Sequence, residues 1–128
     1  MRVILLLATL ALAACQEERQ DGRSAYLENC AGCHGNEAMG NGPDARAMGV
    51  EAPDLTTLAA RNGGTFPRDR VMSIIDGLNR DPHFNVAMPE FGAGDLGEVV
   101  IVEEEEGVGT PVPFTLLVLA DYLERIQR

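Results

Sequence analysis

Three side chains within five positions, Cys30, Cys33 and His34 of the stretch CAGCH, are where this sequence could do chemistry. Two thiols and an imidazole so spaced can attach and ligate a haem, contribute to a zinc site, or form a redox dithiol. Thioether bonds to the two vinyl groups of a porphyrin need sulfurs about one helical turn apart. A histidine directly after the second cysteine then lies under the ring and can place a nitrogen on the iron. Zinc wants further ligands at comparable spacing, and no second Cys/His pair occurs. A thioredoxin-like dithiol wants a βαβ context, which is absent. The spacing favours one covalently bound haem c.

A second axial ligand has several candidates. Four methionines follow the motif: Met39, Met48, Met72 and Met88. Met88 stands in AMPEF, where Pro89 stiffens the chain. Met72 falls on the apolar side of an expected helix, where a thioether usually fills core space. Met39 and Met48 flank glycines and read as packing or surface residues. His83 in DPHFN is a rival imidazole, with an exposed loop residue as its plain reading. An open or water-filled sixth position is the third possibility.

The elements that must hold these residues are short. GRSAYLENC, residues 22 to 30, reads as a helix running into the motif. Residues 34 to 53 are rich in glycine, with two prolines, and read as a long loop with one short turn. Asp54 is an N-cap candidate for LTTLAA, which RNGG ends. Pro67 can open the next helix, with Gly77 as its stop signal, and Val71, Ile74, Ile75 and Leu78 fall at 3.6-residue spacing and give it one apolar face. EVVIVEEEEG is a short strand, a hairpin or an extended excursion. The closing run FTLLVLADYLERIQR puts Leu116, Leu119, Ala120, Leu123 and Ile126 on one stripe, with Arg125 and Arg128 at the dipole's negative end. Helices joined by long loops bury little apolar area, so a rigid apolar object in their midst would supply the interior they lack.

Residues 1 to 14 stand apart. Arg2 precedes VILLLATLALAA, an uncharged run of twelve residues, short of the roughly 20 a membrane span requires. It reads as a signal peptide. Its end, LAAC, resembles a lipobox and makes Cys15 the expected lipidation site, followed by a polar tether to Asp21; cleavage after Ala13 with Cys15 an incidental thiol is the other reading. The expected destination is the periplasm or cell envelope, with a lipid anchor on a membrane. If Cys15 carries lipid and the motif carries haem, no disulfide is left to form. Net charge is −10, there are no lysines, and loss of Arg2 makes it −11. Such a balance argues against nucleic acid or anionic lipid as the partner surface and favours a basic protein face, or simply keeps an exported protein soluble.

Beyond the haem string, the chain resembles a class I c-type cytochrome over residues 22 to 127. Gly22 and Tyr26 stand eight and four residues before Cys30, and LADY supplies Leu119 and Tyr122 to the last helix, as in that family. A glycine where the two terminal helices cross lets them approach closely. The resemblance implies an all-α cytochrome c fold, with three to five short helices and long loops around one haem. It implies that the carbonyl of Pro53 accepts the other imidazole N–H of His34, that Leu55 lies against the haem, and that Met88, in a Met-Pro-x-aromatic setting, is the axial thioether. Three departures stand out: no lysine ring, a loop from His34 to Pro53 longer than in the most compact members, and an acidic insertion over residues 92 to 112 holding Asp95, Glu98 and Glu103 to Glu106.

A haem filled on both faces leaves no place for a substrate. The expectation is therefore one-electron transfer rather than catalysis, with redox proteins as partners, as a monomer or a subunit of a larger complex. The rivals are a fixed electron-entry subunit of a membrane oxidoreductase and a haem sensor or enzyme with an open sixth site.

Overall fold

The computed structural model describes residues 21–79, 88–105 and 107–128, without the side chains of Glu104 and Glu105. The expected signal peptide, Cys15, most of the tether and His83 lie outside the described residues.

The first helix, α1 (Gly22–Asn29), begins at Asp21, whose carboxylate accepts from the Ser24 backbone N–H at 2.8 Å and from its hydroxyl at 3.2 Å. Such a cap is worth about 1 kcal/mol. After one residue the chain re-enters helix as α2 (Ala31–His34). The expected turn in the following loop is a short helix, α3 (Pro43–Met48), opened by Pro43 and closed by Gly49 in the left-handed conformation. Asp54 caps as read: its Oδ1 accepts from the Thr56 N–H at 2.8 Å and starts a 3₁₀ turn at Leu55–Thr57 that becomes α4 (Leu58–Arg61). Pro67 precedes α5 (Arg68–Asp76).

Val71 and Ile75 are buried on α5, but Leu78 is 81% exposed. Gly77, at φ 93°, ends the helix before Leu78 can complete the stripe. EVVIVEEEEG is the hairpin among its three readings: β1 (Val99–Glu105) pairs antiparallel with β2 (Val108–Pro113). Val102 and Val112 fasten it to the core, whereas Val99, Ile101 and Val108 lie exposed.

The last helix, α6 (Phe114–Arg125), holds the molecule together. Leu116, Leu119, Ala120 and Leu123 are all buried and Ile126 is half-buried, so the predicted stripe is the contact face. It meets α1, α5 and β2. At the crossing with α1, Gly22 lies against the backbone of Val118 and the Cβ of Tyr122. Tyr26, fully buried, stacks on Tyr122 with ring centroids 5.2 Å apart and planes tilted by 39°. Such a pair adds about 0.5–1.5 kcal/mol beyond its buried area.

The core is thin. Among the described residues twelve apolar residues are buried, and five of these are alanine. A second set, including Leu55, Leu58, Met88 and Phe91, packs against that core only half-covered.

Candidate haem-binding site

The motif sits at the joint between α1 and α2. Cys30 donates its N–H to Tyr26 O at 2.8 Å, and its carbonyl accepts from the N–H of Cys33 at 3.2 Å and of His34 at 2.9 Å. One helical turn therefore separates the two sulfurs, the spacing that thioether attachment requires. Both cysteines are free thiols and half-buried. Burial, then the neighbouring Cys33, pushes the Cys30 thiol up to about 11. A dithiol oxidoreductase needs the opposite, a thiol depressed toward neutrality. Among the described residues no group of three or more His, Cys, Asp or Glu side chains is placed to hold a metal ion, so zinc finds no ligand set there.

His34 is buried at 8% exposure, and its Nδ1 lies 3.1 Å from the carbonyl oxygen of Pro53. A carbonyl only accepts, so this contact places the proton on Nδ1 and leaves the Nε2 lone pair free. Burial lowers the imidazole pKa, and the Pro53 carbonyl offsets part of that effect. The ring is thus held neutral in one tautomer, the state in which imidazole ligates iron.

Backbone packing fixes Pro53. The loop after His34 folds back on itself, with Gly40 N–H donating to His34 O at 2.8 Å and Leu55 N–H to Ala38 O at 2.8 Å. Gly40 has φ 79°, and a Cβ there would stand 2.1 Å from Ala52 O and 3.1 Å from the carbonyl carbon of Pro53. Only glycine permits that approach. Tyr26 ties the same loop to α1: its hydroxyl donates to Gly35 O at 2.6 Å. Burial, with lesser contributions from neighbouring groups including Cys30, raises the Tyr26 pKa well above the ordinary phenol range, so it remains a donor.

Of the predicted residues, Cys30, Cys33, His34 and Pro53 are brought together. Leu55, two residues beyond Pro53, and Met88 are half-buried against the core. Met72 packs there too, while Met39 and Met48 are exposed. His83, the competing ligand, and Cys15 fall outside the described residues.

The donor set fits a covalently attached haem: two soft thiols one turn apart, a neutral imidazole with Nε2 free, and half-covered apolar side chains of the kind a macrocycle packs against. Residues 17–103 match the model of the family described as cytochrome C oxidase, cbb3-type, subunit III. The chain belongs to this family. Comparison with curated proteins and with solved structures returns no match. Membership makes the molecule a c-type cytochrome with covalently bound haem c, and Cys30, Cys33 and His34 carry the family's CxxCH spacing. Its fold is that of a cytochrome c, mainly helical with the small hairpin added. Domains of this kind transfer electrons through haem, act with redox partners or within complexes, and typically reside in the periplasm or envelope. No helix among the described residues of this cytochrome is long and apolar enough to cross a membrane.

Proposed function

We propose that this cytochrome carries one electron at a time on a haem c attached through Cys30 and Cys33 and ligated by His34 and Met88. The observation that carries the reading is the His34–Pro53 contact, which aims a neutral imidazole nitrogen away from its hydrogen-bonded side, one residue from an attachment cysteine. Pro53 raises the basicity of that nitrogen, Leu55 packs against the macrocycle, and Met88 supplies a soft sulfur that favours ferrous iron and a high potential. With both axial positions held, the protein is a carrier and not a catalyst. Cys15, lipidated after signal cleavage, tethers it in the envelope, where a short leash raises the effective concentration of partners on the same membrane.

Substituting Met88→Ala tests the ligation. The weak far-red ferric band is expected to vanish, and the ferric-to-ferrous ratio at a fixed poise to rise about tenfold or more, a fall of roughly 59 mV in the one-electron potential. An unchanged band would hand the sixth position to another methionine, and an unmodified ferric protein that lacks the band would hand it to His83 or another ligand without sulfur. Carbon monoxide binding by the unmodified ferrous protein would mark the open site of a sensor or enzyme.

The family's description favours a second reading, that this chain is the fixed electron-entry subunit of a membrane oxidase. The two readings separate on salt. Residues 92–112 hold six carboxylates and no cation, so a basic docking face on the partner is expected. For a carrier, turnover falls as ionic strength rises, and neutralising Glu103 to Glu106 as glutamines flattens that dependence by about half. A fixed subunit instead co-purifies with its oxidase through high salt and shows neither effect.

A further inference from the structure

The segment that presents the Pro53 carbonyl to His34 is gripped from its other side by two residues just past α6. Gln127 Nε2 donates to Leu55 O at 2.8 Å, and Gln127 Oε1 accepts from the Ala59 N–H at 2.8 Å. The Arg128 backbone N–H donates to Thr56 O at 2.9 Å. Its Nε donates to Thr56 Oγ1 at 2.9 Å, and its guanidinium pairs with Asp54 at 3.3 Å. These bonds join residues about seventy positions apart and fall on every residue from Asp54 to Thr56, the three that directly follow Pro53.

The grip is also anchored. Gln127 Nε2 bonds Leu123 O at 2.7 Å, and Leu123 is one of the buried residues of the α6 stripe. The Pro53 segment therefore hangs between two fixed bodies. On one side, Leu55 N–H is bonded to Ala38 O of the loop after the motif; on the other, Leu55 O is bonded to Gln127. The two peptide planes that flank the Leu55 Cα are thus both held, which leaves little freedom to the Pro53 carbonyl in the plane just before them.

We propose that Gln127 and Arg128 are positioning residues for the His34 imidazole, acting through Pro53. The proposal rests on the reading of His34 as the iron's axial ligand. Neither residue touches the ring. They set the place of the carbonyl that accepts from Nδ1, and so the strength of that hydrogen bond. A strong bond makes the imidazole a better donor and favours ferric iron; a loosened one favours ferrous.

The test uses the haem-loaded protein. In the diamagnetic ferrous state the His34 Nδ1 proton can be followed by NMR, and its exchange with solvent reports the Pro53 bond directly. For Gln127→Ala, exchange is expected to quicken about tenfold or more, since three backbone groups, Leu55 O, Ala59 N–H and Leu123 O, lose their bond to this side chain, and the midpoint potential to rise by a severalfold change in the redox equilibrium. Arg128→Ala, which keeps its backbone bond to Thr56, is expected to move both readouts the same way by less.

Two controls separate positioning from stability. Gln127→Met keeps the side chain's length and none of its hydrogen bonds, so it should behave as the alanine variant does; a methionine variant matching wild type assigns the role to packing and overturns the proposal. Asp21→Ala removes the α1 cap, far in sequence from Pro53, and should lower stability while leaving exchange and potential in place. An Asp21→Ala protein with the same changes as Gln127→Ala would show a general loosening and also overturn it, as would unchanged exchange in both Gln127→Ala and Arg128→Ala. If His34 is not the ligand, wild type itself shows no imidazole bound to iron, an outcome distinct from any of these.

Discussion

A Cys30→Ser/Cys33→Ser protein is expected to emerge from denaturing electrophoresis with no haem stain and to lose its cooperative thermal transition. The expectation has two physical parts. Serine hydroxyls do not form the thioether bonds, so any haem that enters is held by its axial bonds alone and leaves on denaturation. The second part concerns stability. Ordering a residue costs about 1–2 kcal/mol of backbone entropy, and a core of twelve buried apolar residues, five of them alanine, offsets little of it. A large apolar body bonded to the joint of α1 and α2 cross-links the motif and covers side chains such as Leu55 and Met88 that the polypeptide only half-covers. Either single serine variant keeps one attachment and should retain stain at reduced yield. Absorbance at the Soret band and circular dichroism on heating read both parts. A colourless double variant that melts like wild type would show that the chain has its own sufficient interior.

What the sequence displayed of this architecture follows from how far each signal reaches along the chain. The motif and α6 were legible because their determinants are local: five consecutive residues in one case, a 3.6-residue stripe in the other. The α1–α6 crossing was legible because contact between two helices imposes residue types at fixed offsets, Gly22 and Tyr26 on one, Leu119 and Tyr122 on the other. EVVIVEEEEG left a strand, a hairpin and an extended excursion open, and the segment that pairs with it carries the prolines of TPVP. Yet Pro111 and Pro113 share one parity, opposite Ile101 and Val99, while Phe114, of the other parity, donates its N–H to Glu98 O. Prolines at alternate positions leave the ladder side of the strand intact, and that spacing is the signal that would have identified β2. Leu78 misled in the opposite direction, since periodicity cannot see that Gly77 has already turned the chain. The grip of Gln127 on Leu55 has no sequence trace, because a side-chain amide bonded to a distant backbone imposes neither period nor partner type.

Gly22→Ala is expected to destabilise this cytochrome by about 3 kcal/mol or more, the upper end for overpacking a closely fitted contact. The added methyl would stand 1.9 Å from the carbonyl oxygen of Val118, 2.7 Å from its carbon and 2.8 Å from Tyr122 Cβ. Two of those atoms are backbone in the middle of α6, so no rotamer change relieves them; the helices must move apart. Separation then loosens contacts that depend on the crossing, among them the Tyr26–Tyr122 stack and the buried face around Leu119. Helix propensity works the other way, since alanine is favoured over glycine by up to about 1 kcal/mol in a helix interior. At the first position of α1 that gain is smaller, because the cap at Asp21 already fixes the turn. The steric term therefore decides the sign. Against a total stability of about 5–15 kcal/mol the loss is large, and it should lower the denaturant midpoint without changing the slope. A variant as stable as wild type would mean that α1 and α6 do not need their close approach. The glycine eight residues before Cys30 would then have no packing role in holding the motif.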